Sequence, residues 1–146
     1  MYDMIKSHLA GAVPFAATTG VNILDISAGE ATANLEQRPE VNNHIASLHA
    51  GALFTLGEAA SGAAMSGAFV EQLLQIRPIA TDASIDYVKI AKGTITAKAK
   101  TSEPSADLLA RLAADGKVRF QVDVTLSNES DQEVARMKVG WLVSAR

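Results

Sequence analysis

The sequence contains no cysteine, which excludes disulfides, thiolate metal sites and cysteine nucleophiles and leaves the redox compartment open. Basic residues are not clustered: thirteen Lys and Arg are spread along the chain, and the formal net charge is −3. That balance argues against nucleic acid as a partner. The opening stretch MYDMIKSHLAGAVPFAATTG mixes charges and lacks a long apolar core. It reads as neither signal peptide nor membrane anchor, so a cytoplasmic location with no membrane partner is expected. No linker, repeat or low-complexity segment divides the 146 residues, of which 48% are hydrophobic. A chain of that length suits one compact domain over 1–146 and is too short for two ordinary ones.

Charge is scarcest in the middle. Between Glu40 and Glu71 the only formally charged side chain is Glu58, set in the run NNHIASLHAGALFTLGEAASGAAM. A carboxylate amid apolar residues costs several kcal/mol unless it is paired, exposed or protonated. Either Glu58 faces solvent, or something is gained by keeping it inside.

The patterning around that run alternates in kind. Residues 2–12 read as a short helix closed by Gly11 and Pro14. VNILDISAGEATANLE then places Val21, Ile23 and Ile26 near Ala31, Ala33 and Leu35 across a Ser27–Glu30 turn, which predicts two paired strands. From about Leu48 to Leu74 the composition is Ala, Leu, Met and Phe with almost no β-branched residues, which predicts a long helix with Ser47 as its N-cap. Period two returns after Pro78. ATDASIDYVKIAKG and TITAKAKTSEP read as strands turning near Gly93, and SADLLARLAADGK as a polar, partly helical connection ended by Gly116. KVRFQVDVTLSN and EVARMKVGWLVSA form a hairpin turning over Ser127–Gln132, with Val118, Phe120, Val122, Val124 and Leu126 on one face.

Consecutive hairpins imply an antiparallel sheet, and a long apolar helix must bury its faces against something as large as itself. The economical solution is an α+β fold in which a curved antiparallel sheet wraps around one central helix. Gly51, Gly57, Gly62 and Gly67 each cost about 1 kcal/mol relative to Ala inside a helix. Close approach of the sheet would explain them.

The segment HAGALFTLGEAASG, following NNHIAS, resembles the active-site segment of hotdog-fold acyl-CoA thioesterases, most closely the phenylacetate-pathway and hydroxybenzoyl-CoA type. In that family an Asn or Gln precedes a His by six positions and an Asp or Glu follows it by nine; Asn43, His49 and Glu58 match both spacings. IDYVKIAKGTITAKA is similar to the family's strand after the central helix. The chain departs from the pattern in carrying Ala50 then Gly51 after the His, where the family has Gly at once. Ala59 and Gly62 also stand where the family often has Thr or Ser, with Ser61 nearby but out of position. The resemblance implies a hotdog fold, an acyl-CoA substrate whose coenzyme A enters as part of the substrate, no further cofactor, and homodimers or homotetramers.

The same residues make chemical sense together. Thioester hydrolysis needs activated water or a nucleophile, and a stabiliser for the developing oxyanion. A helix start offers free N–H groups and a positive dipole end, so Ala50 N–H, with Gly51 N–H, is the candidate donor. Glu58 is the candidate general base or nucleophile, with its pKa expected above the reference value of about 4.3. At 1.5 Å rise per residue Glu58 lies roughly 12 Å along the axis from Ala50, too far for both to act on one carbonyl in one subunit. The resemblance implies that two subunits pair, the acid of one facing the helix start of the other.

Other readings of these residues stay open. Glu58 suits a solvent-facing helix position, His49 a packing or capping role, and Asn43 a loop. Lys89, Lys92, Lys98 and Lys100 suit either coenzyme A phosphates or the protection of sheet edges. Three function classes compete: a thioesterase, a non-catalytic acyl-thioester binder, and a hydratase, the last weakened because no His follows Glu58. No cluster of polar or aromatic residues announces one acyl group, and a tunnel lined by Leu, Ala, Met and Phe suits an aliphatic or aryl acyl chain.

Overall fold

A computed structural model describes all residues, 1–146. Two short helices, α1 (Tyr2–Ala12) and α2 (Pro14–Thr19), precede strands β1 (Asn22–Ser27) and β2 (Glu30–Glu36). The long helix α3 (Ala50–Ala68) is followed by a 3₁₀ segment (Val70–Gln75), β3 (Ile76–Tyr87), β4 (Thr94–Thr101), α4 (Ser105–Asp115), β5 (Lys117–Ser127) and β6 (Glu133–Ala145). The six strands form one antiparallel sheet in the order β1-β2-β4-β5-β6-β3, and α3 packs against β2, β4 and β5. This is the expected α+β arrangement of a sheet around one central helix.

The strands alternate as their sequence does. On β5, Val118, Phe120, Val122, Val124 and Leu126 are all buried while the residues between them are exposed. The facing positions of β2 and β4 include Ala31, Ala33, Ala97 and Ala99, whose small side chains let the helix lie close. At two helix positions the approach leaves no room for a Cβ. One added at Gly57 would sit 2.6 Å from the Met137 sulfur, and one at Gly67 would overlap the Ser27 carbonyl oxygen. The expectation that the sheet explains all four glycines holds only for these two. Gly62 would make ordinary contact with Trp141, and Gly51 would meet only His49.

Other expectations need correction. The long helix runs Ala50–Ala68, not Leu48–Leu74, and its N-cap is His49, not Ser47. Leu48 instead forms a β-bridge with Asn42, which holds the chain extended up to the cap. At the far end Phe69 turns its ring into the core against Phe120, the centroids 5.8 Å apart, and its backbone leaves α geometry. The apolar composition persists into the 3₁₀ segment, and composition alone does not separate the two helix types.

Pro14 ends α1 and also starts α2, at a position where its missing N–H costs nothing. The strand expected over 80–93 starts earlier, at Ile76, and ends at Tyr87. It does not form a hairpin with β4 but pairs with β6 at the sheet edge. Residues 88–93 cross back over the helix start, where Leu48 N–H donates to the Ala91 carbonyl at 2.8 Å. A period-two pattern identifies strands and faces but not partners.

Candidate active site

The residues of α3 that are not buried are Ala50, Gly51, Phe54, Thr55, Glu58, Ala59 and Gly62. At 3.6 residues per turn they form a single stripe, the face that the sheet leaves uncovered. Glu58 sits in its middle. The C-terminal part of the stripe is roofed by α1 and α2, which border a partly open cavity of 330 Å³ with Glu58, Ala59 and Gly62 on its helix wall. Around Gly51, Phe54 and Thr55 the stripe has no such roof.

Glu58 is half-buried, and burial alone pushes its carboxyl upward from the usual value, with no cation or hydrogen-bond donor offsetting the desolvation. The nearby hydroxyl does not face it. Ser61 is fully buried; its Oγ donates to the Glu58 backbone carbonyl at 2.7 Å and accepts from Trp141 Nε1 at 3.2 Å. A carboxyl raised by desolvation on a cavity wall is a candidate proton acceptor.

The other sequence candidates gather at the helix start. Asn43 closes a small loop: its Oδ1 accepts from the Ile45 and Ser47 N–H groups, both at 3.0 Å, and its Nδ2 donates to Ser47 Oγ at 2.8 Å. The loop delivers His49 as N-cap, with Nδ1 accepting from Gly51 N–H at 2.8 Å. That bond puts the neutral ring's proton on Nε2, facing outward, and leaves Gly51 N–H engaged. Ala50 N–H makes no hydrogen bond within the chain, so it is the free donor at this helix start.

Asn43 and Ala50 line a second cavity, of 360 Å³, together with Leu48, Tyr87 and Ile90. Glu58 does not line it. The chain therefore brings Asn43, His49, Ala50 and Gly51 together and places Glu58 apart from them. Of the four lysines, Lys89 borders this second cavity, whereas Lys98 and Lys100 point from the outer face of β4, Lys100 lying 3.6 Å from Glu30.

Three features of the site are absent from the sequence reading. Tyr87 donates its hydroxyl to the Ala50 carbonyl at 3.0 Å, a contact between residues far apart in sequence. Trp141 reaches the Glu58 cavity from β6, and α1 and α2 roof it. Short apolar segments near a terminus carry no signal of what they cover. No helix is long and apolar enough to cross a membrane.

A family model described as a domain of unknown function, DUF4442, matches residues 3–143. No curated protein matches the sequence. Among solved structures, a probable thioesterase of unknown function from Pseudomonas aeruginosa aligns over 100% of this chain and 97% of its own, with 22% identity and a TM-score of 0.87. A hypothetical thioesterase from Streptococcus pneumoniae, crystallised with coenzyme A, aligns over 94% and 98%, with 19% identity and a TM-score of 0.72. The PaaI protein from the phenylacetic acid degradation operon of E. coli aligns over 99% and 98%, with 22% identity and a TM-score of 0.69. At these identities the likeness is one of fold, and the fold is the hotdog fold expected from the HAGALFTLGEAASG segment.

Proposed function

The chain belongs to the DUF4442 family, and from that premise we propose that it is an acyl-CoA thioesterase, one hotdog domain over 1–146 that works as a homodimer or a dimer of dimers. The observation that carries the reading is Glu58, the one charged side chain between Glu40 and Glu71, half-buried without a partner on a cavity wall.

In this reading Glu58 takes a proton from water as the water oxygen adds to the thioester carbonyl. The tetrahedral oxyanion is held by Ala50 N–H at the positive end of α3. The C–S bond then breaks, coenzyme A leaves as its thiol with the proton returned by Glu58, and the free acid remains. Direct attack by Glu58, giving a mixed anhydride that water opens, uses the same atoms. Gly51 N–H, bonded to His49, becomes a second donor only when that bond opens. Asn43 shapes the loop that delivers His49 and Ala50.

Pairing of subunits is what lets Glu58 and Ala50 meet. Two features support it: the uncovered stripe on α3, and β3, which forms a sheet edge of 12 residues of which only Ile76 is buried. A long open edge is a ready template for pairing with a second copy. A coenzyme A-bound relative of the same fold supports the substrate class.

A non-catalytic acyl-thioester binder is the second reading, favoured by the hydroxyl-free Ala59 and Gly62. Hydrolysis of a panel of acyl-CoAs, followed with a thiol-detecting reagent, decides between them. Thiol release by the wild type that falls in Glu58→Gln supports the enzyme; binding of acyl-CoA without release supports the binder.

A further inference from the structure

We infer that the cavity roofed by α1 and α2 is the acyl site and that it takes an unbranched aliphatic chain of medium length rather than an aryl group. This rests on the thioesterase reading for the identity of the thioester, but the cavity's preference follows from its walls.

The walls are aliphatic. Leu9 and Val13 descend from the roof, Val21 and Ile23 from the β1 region, and Leu73 and Ile76 from the segment after α3. Trp141 is the one aromatic side chain among the lining residues, so no pair of aromatic faces is available to sandwich an aryl ring. From Glu58 the helix wall is cut back to Ala59, Gly62 and Ala63, a smooth track that ends at Met65 and Ser66. A chain whose carbonyl lies at Glu58 runs along that track under the roof.

Polar groups in the lining are already committed or lie at the rim. Ser66 Oγ donates to the Gly62 carbonyl at 2.8 Å, Arg146 Nε to the Ile76 carbonyl at 2.9 Å, and His8 is exposed. Of the charged groups in the lining, Glu58 is the one that stands on the helix track itself, so it addresses the thioester end. A methylene needs about the 30 Å³ that a water molecule occupies in the liquid, so 330 Å³ holds a chain of about ten carbons.

The cavity carries its own reporter. Trp141 is the only tryptophan in the chain, and its ring is held by the Ser61 bond. Its six-membered edge lies 3.6 Å from where a Gly62 Cβ would stand. A chain seated on the track therefore touches the indole.

The test is a titration of the protein with S-alkyl-CoA thioethers of increasing chain length, which cannot be hydrolysed, with coenzyme A alone and S-benzyl-CoA as comparisons, read by Trp141 emission. The expected result is a blue shift with the alkyl compounds and none with coenzyme A. Each added methylene should tighten binding about fourfold up to about ten carbons, with no further gain beyond. Gly62→Leu, which adds a side chain to the track, should move that break point about four carbons shorter. Ala59→Leu provides a second narrowing should the first variant fail to fold.

Emission that responds equally to coenzyme A, tighter binding of the benzyl compound than of alkyl chains of similar size, or a break point unmoved by both variants would overturn the assignment. The two readings fail separately. Chain-dependent emission without any thiol release removes the thioesterase and keeps the acyl site; thiol release with a silent Trp141 does the reverse.

Discussion

The hydroxyl of Tyr87, the last residue of β3, donates to the carbonyl of Ala50, the first residue of α3, at 3.0 Å. That carbonyl belongs to the peptide whose N–H, on Gly51, donates to His49 Nδ1 at 2.8 Å. A phenol, a peptide and an imidazole thus form one directed chain, and each bond polarises the next. A phenol at its ordinary pKa of about 10 is already protonated across the neutral range, and burial raises that of Tyr87 further, so it stays a donor.

Tyr87→Phe should therefore loosen the helix start without unfolding the protein. Loss of one neutral hydrogen bond at a part-exposed site costs about 1 kcal/mol. In the proposed enzyme the oxyanion donor is one peptide away, so kcat should fall several-fold with KM little changed. Steady-state kinetics on one acyl-CoA measures the split; a rise in KM at constant kcat would assign Tyr87 to substrate binding instead.

For Glu58 the sign of the pH dependence follows from its burial. Its pKa is higher folded than unfolded, so the folded state holds the proton more tightly, and stability declines as pH rises from the unfolded value through the folded one. Above that window the cost of the buried charge is fully present. Activity runs the other way, because the working form is ionised: kcat/KM should drop as pH falls through the raised pKa. Glu58→Gln should lower turnover roughly a hundredfold or more while melting at the same or a higher temperature than wild type at neutral pH. A variant with near-wild-type turnover would remove Glu58 from the chemistry.

Much of this was readable in the residues themselves. Glu58 stands out because a charge in an apolar run needs a reason, and the helix around it shows in a composition almost free of β-branching. The β5–β6 hairpin shows in strict alternation, and its register, Leu126 opposite Ala135, follows from which face is buried. What stayed hidden depends on distant partners. β3 alternates as well as β4 does, yet its neighbour is β6, and nothing local to residues 76–87 specifies that. His49 displaced Ser47 as cap because the Asn42–Leu48 bridge keeps the chain extended past Ser47. The roof over Glu58 comes from α1 and α2, whose sequences do not indicate what they cover.

Phe54 tests the subunit pairing. It lies on the unroofed part of the α3 stripe and is 36% exposed in the isolated chain, so Phe54→Lys should leave the fold intact by circular dichroism. If a second subunit covers that stripe, a buried unpaired ammonium there is costly. Light scattering should then show a shift from dimer to monomer, with turnover lost in proportion. A stable dimer with full activity would place the interface elsewhere.

Ala50→Pro gives the sharpest test of how the two halves of the site combine. Ala50 is the first residue of α3, directly after the His49 cap, and a proline is best tolerated there because its missing N–H has no partner in the helix. His49 has φ −64° and ψ 143°, the extended conformation that a residue before proline prefers. The substitution thus deletes the proposed oxyanion donor and leaves the helix in place. Losing one such donor costs about 10²–10³ in kcat, so Ala50→Pro and Glu58→Gln should each be nearly inactive alone. If the acid of one subunit works with the helix start of the other, a mixed dimer of the two variants has one site with both defects and one with neither. Co-refolding equal amounts should then restore activity well above either parent, approaching about a quarter of wild type when half the dimers are mixed and each has one intact site. If both groups acted within one subunit, every site in the mixture would carry a defect, and the mixture would remain as inactive as its parents.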